Sequence, residues 1–432
     1  MEFSEPVAAL LKLSAVCLTF AALLRLRLPL WLAISGGGME MALFSGISPA
    51  AWPGLAAGVL TDADFLLLCL MVFLIMLLSG IQDATGQSKK LVTGLEGHLR
   101  RPRLRLVLFP ALVGLLPMPG GALFSCPMIS TAAEGMGLSE SRKALVNYWF
   151  RHIWEAAWPL YPGYALICAL LQIPLTRYCR YTFPLIFLAL GVGWLYYLRD
   201  VPVSEPARQA AAPPESLCRV LLNALPIAVT LGGAALFGLL GEAFFPNLPG
   251  QTAFCLSIAL GTATALWQGG GTSLKSLGKL AFNRGTARML LLLLAIFIFK
   301  DTVRRAGLVE AFSHIEADMA LILPVFILAP FLSGLLTGIM VGFVGMCFPV
   351  LIGLAAASPV LREHMVPLVI LATVAGHCGQ MLSPLHVCLV VTGEYFNLGL
   401  ADMWRRLVAP VTLIFAGGAL WTLCLFFFDA RF

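Results

Sequence analysis

Apolar residues run along this chain in long continuous blocks broken by short polar segments, with no period-two alternation that would mark half-buried strands. A helix needs roughly 20 apolar residues to cross a hydrocarbon core. On that measure, spans are predicted near residues 7–24, 28–46, 63–82, 143–171, 179–198, 220–240, 250–268, 287–301, 366–394 and 407–428. Two further apolar stretches do not read as plain spans: 106–129 (LVLFPALVGLLPMPGGALFSCPMI) and 324–353 (PVFILAPFLSGLLTGIMVGFVGMCFPVLIG). Pro117, Pro119, Gly120, Gly121 and Pro127 interrupt the first, and Gly338, Gly342, Gly345 and Pro349 punctuate the second. Both are predicted to be re-entrant helical hairpins, because irregular backbone at membrane depth is tolerated only where protein or a watery cavity covers it.

The pattern repeats. HIWEAAWPLY (152–161) set above HCGQMLSPLH (377–386) aligns His152 with His377, Pro159 with Pro384 and Leu160 with Leu385. A similar shift lays the first hairpin over the second, and Gly86 over Gly307. The chain therefore reads as two copies of one unit, residues 1–198 and 219–432, joined by a cytoplasmic linker, 199–218, rich in proline and alanine. The predicted class is an all-α polytopic membrane protein built from two inverted-topology repeats. Each repeat holds about five transmembrane helices, one of them discontinuous, and one re-entrant hairpin. An odd number of full crossings per copy inserts the second copy upside down.

Charge gives an independent test, because cytoplasmic loops collect Lys and Arg. The segment after the third span holds Lys89, Lys90, Arg100, Arg101, Arg103 and Arg105, whereas its counterpart at 300–322 mixes three basic residues with four acidic ones. The basic loop 272–288, with Arg405 and Arg406, falls on the cytoplasmic side of the same scheme, and both termini fall outside.

Composition agrees: 59% of the 432 residues are hydrophobic and 12% are charged, far from the values of a soluble domain. The net charge of +6 follows from topology and carries no nucleic-acid signature. Glu2 and Glu5 stand where a cleaved signal would carry basic residues, so the first span reads as retained. The eleven cysteines are scattered, without CxxC pairs or Cys/His clusters at metal spacing, and read as small apolar residues within helices. No metal site is expected. Neither HExxH, GxSxG nor a phosphate-binding loop is present, which speaks against hydrolytic enzymes and ATP-driven transport.

Candidate chemistry lies where the repeats meet. In transporters built from inverted repeats the site sits near the midplane, where discontinuous helices offer their ends to the cargo. Helix N-termini favour anions. Pro119, Gly120, Gly121, Ser125, Thr337, Gly338 and Gly342 at the hairpins, with Ser383 and His386 beside Pro384, are the expected substrate-binding residues. Arg151, His152, Glu155, His377 and Gln380 are the expected coupling or charge residues, because an ionisable group within a membrane segment is a functional candidate by default. Arg151 and Glu155, spaced i,i+4, can pair along one helix face, with His152 at i,i+3 from Glu155. Alternatively, Arg151 snorkels to the interface. The aromatic set Trp149, Trp154, Trp158, Tyr161 and Tyr164 reads as packing and interface anchors.

FPALVGLLPMPGGALFSCPM, FRHIWEAAWPLYPG and CGQMLSPLHVCLVVTGEYF resemble the signatures of a prokaryotic integral-membrane family catalogued as domain of unknown function 401. That family is grouped with the ion transporter superfamily of gluconate permeases, dicarboxylate carriers, and arsenite and sodium/proton antiporters. The resemblance covers nearly the whole chain. It implies two hairpins, two interrupted helices, a scaffold part and a moving transport part, and a homodimer working by an elevator motion in the prokaryotic cytoplasmic membrane. The Ser-Asn-Thr sodium motifs of the dicarboxylate branch are absent: the copies read LLPMPGGA and LLTGIMVG.

The expected function is secondary transport of a small carboxylate-like anion with no cofactor. The proton is favoured as coupling ion over sodium, because a histidine ordinarily titrates near ~6.5, within reach of physiological pH. A cation/proton antiporter is the alternative, and a membrane enzyme acting on a lipid-linked substrate is a third reading.

Overall fold

The computed structural model describes residues 5–99, 101–115, 121–201, 215–244, 249–270, 273–307 and 319–428, and these are helical throughout, with no strand among them. The first half comprises α1 (Glu5–Arg25), α2 (Leu30–Phe44), α3 (Trp52–Thr61), α4 (Ala63–Ala84) and α5 (Gln87–Glu96). Then come α6 (Pro102–Gly114), α7 (Gly121–Ala132), α8 (Glu140–Arg151), α9 (Pro162–Leu171), α10 (Leu175–Thr182) and α11 (Pro184–Gly193), which a π-helical turn, Trp194–Leu198, prolongs. The second half comprises α12 (Leu217–Phe244), α13 (Gly250–Gln268), α14 (Leu274–Ala281), α15 (Arg284–Arg305), α16 (Met319–Thr337) and α17 (Met340–Ala357). It closes with α18 (Pro359–Glu363), α19 (Met365–Met381), α20 (Val387–Tyr395) and α21 (Leu400–Phe427). Among the described residues, five segments are long and apolar enough to cross a membrane: Ala63–Ala84, Leu175–Leu198, Leu217–Gly241, Met340–Ala357 and Leu400–Phe427. Shorter apolar helices, α2, α7, α9 and α19 among them, supply the rest of this multi-pass membrane protein.

Element order recurs between the halves: α1 to α4 correspond to α12 to α15, the pair α6/α7 to α16/α17, and the interrupted span α8|α9 to α19|α20. The local chemistry recurs as well. α4 and α15 are both 22 residues long, and both start on a side-chain cap: Asp62 accepts from the Phe65 N–H at 3.0 Å, and Asn283 from the Thr286 N–H at 2.9 Å. Packing is reciprocal: α4 lies against α13 and α15 against α2, while α9 packs on α17 and α20 on α7. Helices α1, α2, α4, α12, α13 and α15, most of them long, form one group, and hairpins and interrupted spans pack mainly on each other.

Both hairpins cross their interrupted spans at a glycine. A Cβ at Gly114 of α6 would lie 2.1 Å from the Arg151 carbonyl oxygen, and one at Gly334 of α16 would lie 2.2 Å from that of Gly376. Arg151 and Gly376 precede the aligned His152 and His377, so one backbone-to-backbone contact is built twice. The second hairpin turns at Gly338, whose φ of +65° is the left-handed conformation that suits glycine. Gly342, Gly345 and Pro349, read from the sequence as punctuation, lie inside α17, as Pro127 lies inside α7. The tip of the first hairpin, with Pro117, Pro119 and Gly120, lies outside the described residues.

Candidate functional site

Each interrupted span stops because its chain turns aside to cap the neighbouring hairpin. α8 ends at Arg151, and residues 152–161 follow as tight turns before Pro162 opens α9 at a position where its missing N–H is not needed. Within that gap, Trp154 Nε1 donates to Ala111 O at 2.7 Å, Trp158 Nε1 to Leu115 O at 3.0 Å and Tyr161 OH to Gly114 O at 2.6 Å. These are last-turn carbonyls of α6, which have no partner within their own helix. In the second half Ser383, the counterpart of Trp158, donates its hydroxyl to Leu335 O at 2.7 Å. The gap aromatics, read from the sequence as packing and interface anchors, cap the end of α6 by hydrogen bonds. We predict that Trp158→Phe and Ser383→Ala each lower stability by about 1 kcal/mol, the net worth of one hydrogen bond, measured as a fall in melting temperature of the purified protein.

The two gaps face each other. Glu155 and Gln380 hold the same place in the two repeats and meet directly, Gln380 Nε2 donating to Glu155 Oε2 at 2.5 Å. His377 Nδ1 lies 3.9 Å from the same carboxylate oxygen. The Glu155 carboxylate is therefore engaged by the second half of the chain: the helix stops at Arg151, and the i,i+3 relation to His152 survives only in the backbone, Glu155 N–H donating to His152 O at 3.3 Å. Arg151 is buried, with its guanidinium against Gly121 at the start of α7 and Nη1 3.5 Å from Val113 O.

His152 and His386 bring ionisable groups of the two halves into direct contact. Their Nε2 atoms are 3.1 Å apart, with ring centroids at 4.7 Å and planes at 88°. His152 Nδ1 lies 2.5 Å from Tyr148 O, and His386 Nδ1 lies 3.3 Å from Gln380 O. A carbonyl oxygen only accepts, so both Nδ1 atoms carry hydrogen and both neutral rings present an Nε2 lone pair to the other. Two lone pairs repel at that distance, whereas one added proton turns the pair into an N–H···N hydrogen bond. Tyr148 supports both rings: its own ring lies 4.6 Å from that of His152 and 5.5 Å from that of His386, and its hydroxyl donates to Met381 O at 2.9 Å.

Among the described residues, His152, His386 and Cys388 are the one set of three converging metal-ligand atoms, spread over up to 4.8 Å. Between the interrupted spans, a cavity of about 10 Å³ bordered by His152, His377, Trp149 and Met381 has room for a single water at most.

The structure thus brings together His152, Glu155, His377, Gln380 and His386, with Ser383 one turn away. Gly338 sits against the same gap, where a Cβ would meet the His386 amide nitrogen at 2.7 Å, and Gly342 packs on Thr337, whose hydroxyl donates to Ser333 O at 2.8 Å. Ser125 stays within α7, bonded to Gly121 O at 3.3 Å, and Pro119 and Gly120 are outside the described residues. Sequence reading missed Tyr148 and Asn147. Asn147 Nδ2 donates to Cys126 Sγ at 3.1 Å and Thr392 Oγ1 at 3.4 Å, tying α7, α8 and α20 together. The signal was present, since Tyr148 lies one helical turn before His152.

Interleaved repeats, paired hairpins and interrupted spans that meet in mid-protein define a multi-pass helical membrane protein. The fold is similar to that of the Alcanivorax borkumensis YdaH transporter, whose crystal structure reveals an unusual topology: the TM-score is 0.64 over 88% of this chain and 87% of that chain, at 15% sequence identity. The chain belongs to the family described as "Protein of unknown function (DUF401)", whose profile matches residues 55–425. No curated protein matches it.

Proposed function

We propose that this chain is a secondary transporter, carrying a small carboxylate-like anion across the prokaryotic cytoplasmic membrane together with protons. The observation that carries this reading is the His152–His386 pair, 3.1 Å apart at Nε2 and anchored at both Nδ1 atoms. It joins the two repeats through a site that one proton closes and its loss opens. Glu155, 2.5 Å from Gln380 and 3.9 Å from His377, is the negative charge beside it. Arg151 and the N-terminal turn of α7 share a sign where they meet, which supports an anionic cargo at that hairpin. Gly338 lets the second hairpin tip approach the His386 backbone. The grouping of hairpins and interrupted spans apart from the long helices supports an elevator motion of one group along the other, with a homodimer holding the long-helix group in place.

A cation/proton antiporter is the second reading, favoured by one feature, the buried Glu155 carboxylate. Thermal stabilisation of the purified protein separates the two, because a ligand that binds only the folded state raises the melting temperature. We expect stabilisation by one class among small carboxylates, sulfonates and inorganic anions, stronger at pH ~5.5 than at pH ~8 and lost in His152→Ala. A shift with sodium or pH alone and with no anion would move the assignment to the antiporter.

A further inference from the structure

At the end of the protein that carries Arg405 and Arg406, a cavity of about 510 Å³ opens between α8, the π-helical turn after α11 and the start of α21. It is bordered by Ser139, Arg142, Tyr196, Tyr197, Arg405 and Arg406. Among the described residues no carboxylate pairs with any of the three guanidinium groups. Glu140, in the first turn of α8, is taken by Lys143 at 2.7 Å. Like charges that converge without a carboxylate mark a site shaped for an anion from outside the chain, and arginine's planar fork suits phosphate oxygens.

The surroundings say which anion. The π turn, a rare feature that recurs at functional sites, sets two successive tyrosines on the cavity wall. Tyr197 is buried, its hydroxyl donating to Arg406 O at 3.4 Å and holding the first turns of α21, while Tyr196 faces outward. Trp194 and Trp404 are exposed on the same two helices. Exposed tryptophan and tyrosine beside arginine is the composition of the headgroup level of a bilayer, and the Lys/Arg distribution assigns this end to the cytoplasm. From Arg406 onward α21 is almost wholly apolar, so acyl chains below a seated headgroup would lie along it.

We propose that this cavity binds the phosphodiester headgroup of an acidic phospholipid of the cytoplasmic leaflet, held by Arg142, Arg405 and Arg406. Basic pockets between transmembrane helices on the cytoplasmic side suit such headgroups. The lipid would tie α8 to α21. Because α8 ends at Arg151, immediately before His152, the lipid fixes the base of the helix that positions the histidine pair. The inference stands independently of the transport reading.

The test uses the full-length protein in mixed micelles of phosphatidylglycerol or phosphatidylcholine, read by native mass spectrometry of retained lipid and by melting temperature. The wild type is expected to retain phosphatidylglycerol preferentially and to gain stability from it. Each arginine removed should reduce that retention about fivefold, up to Arg142→Gln/Arg405→Gln/Arg406→Gln. Arg284→Gln/Arg288→Gln, which removes two charges on the same side elsewhere, should leave the preference intact. Should the triple variant not fold, Arg405→Gln/Arg406→Gln, confined to exposed positions, carries the same comparison. An unchanged preference in the variants overturns the proposal, as does an equal loss in the Arg284/Arg288 control. Stabilisation of the same size by free glycerophosphate reassigns the site to a soluble phosphate and overturns the lipid.

Discussion

His386→Ala is expected to leave a folded protein that no longer accumulates solute against its gradient. The His386 ring places Nε2 on His152 at 3.1 Å, Nδ1 on Gln380 O at 3.3 Å and its edge against Tyr148, with the Cys388 thiol also beside it. Alanine removes these contacts while the backbone of the gap stays capped by Ser383 on Leu335 O. The proton then loses one of its two nitrogen ligands. His152 keeps its bond to Tyr148 O but no longer faces a second ring nitrogen across the repeats. A hydrogen bond to a charged group contributes about 1.5–3 kcal/mol, or ten- to over a hundredfold in proton occupancy, which is the size of the expected loss in proton-driven uptake. His386→Gln, whose amide restores a donor and an acceptor but binds no proton, should recover stability and not coupling. Uptake that keeps its pH dependence in His386→Ala would remove the pair from the coupling role.

The largest expected effect on stability is that of Gly334→Val. A Cβ at this position would stand 2.2 Å from Gly376 O and 2.9 Å from Gln380 N, both backbone atoms that no rotamer change can clear. α16 must therefore move off α19, and that crossing positions Gln380 against Glu155. Overpacking of this kind costs typically about 1–3 kcal/mol, and a contact with fixed backbone belongs at or above the upper end. Gly114→Val should behave alike through the Arg151 carbonyl, 2.1 Å from its Cβ. Thermal unfolding in detergent measures both. Wild-type melting in either variant would show that the crossings have room for a side chain.

Much of this was legible in the sequence because membrane folding leaves few options. With no water to satisfy backbone groups, the lengths of apolar blocks set the helices, and the aligned His-to-Pro segments located both interruptions. Both hairpins were readable from clustered Gly and Pro, yet most of those residues do not turn the chain. Gly338 does, while Pro127, Gly342, Gly345 and Pro349 sit inside helices, where packed neighbours tolerate them. α3, α5 and α14 were passed over because they are short, 8 to 10 residues, well below the length that crosses a membrane.

The site was legible as a list and not as a set of pairs. Helical spacing suggested Arg151 with Glu155, but the helix ends between them and Glu155 turns to its own counterpart, Gln380. Contacts between halves, such as His152 with His386, separate residues 234 positions apart in the chain, and no local pattern encodes them. Tyr148 was missed since an aromatic residue in an apolar helix reads as packing, and its role depends on rings brought from another helix.

The central claim, proton-driven movement of a small anion, is tested most directly in proteoliposomes loaded at one pH and diluted into another, with radiolabelled carboxylates as solutes. An inward proton gradient is expected to drive accumulation of at least one carboxylate, a protonophore to abolish it, and sodium not to replace the gradient. Accumulation that needs sodium and ignores the proton gradient, or no carboxylate movement beside a clear cation-for-proton exchange, would contradict it.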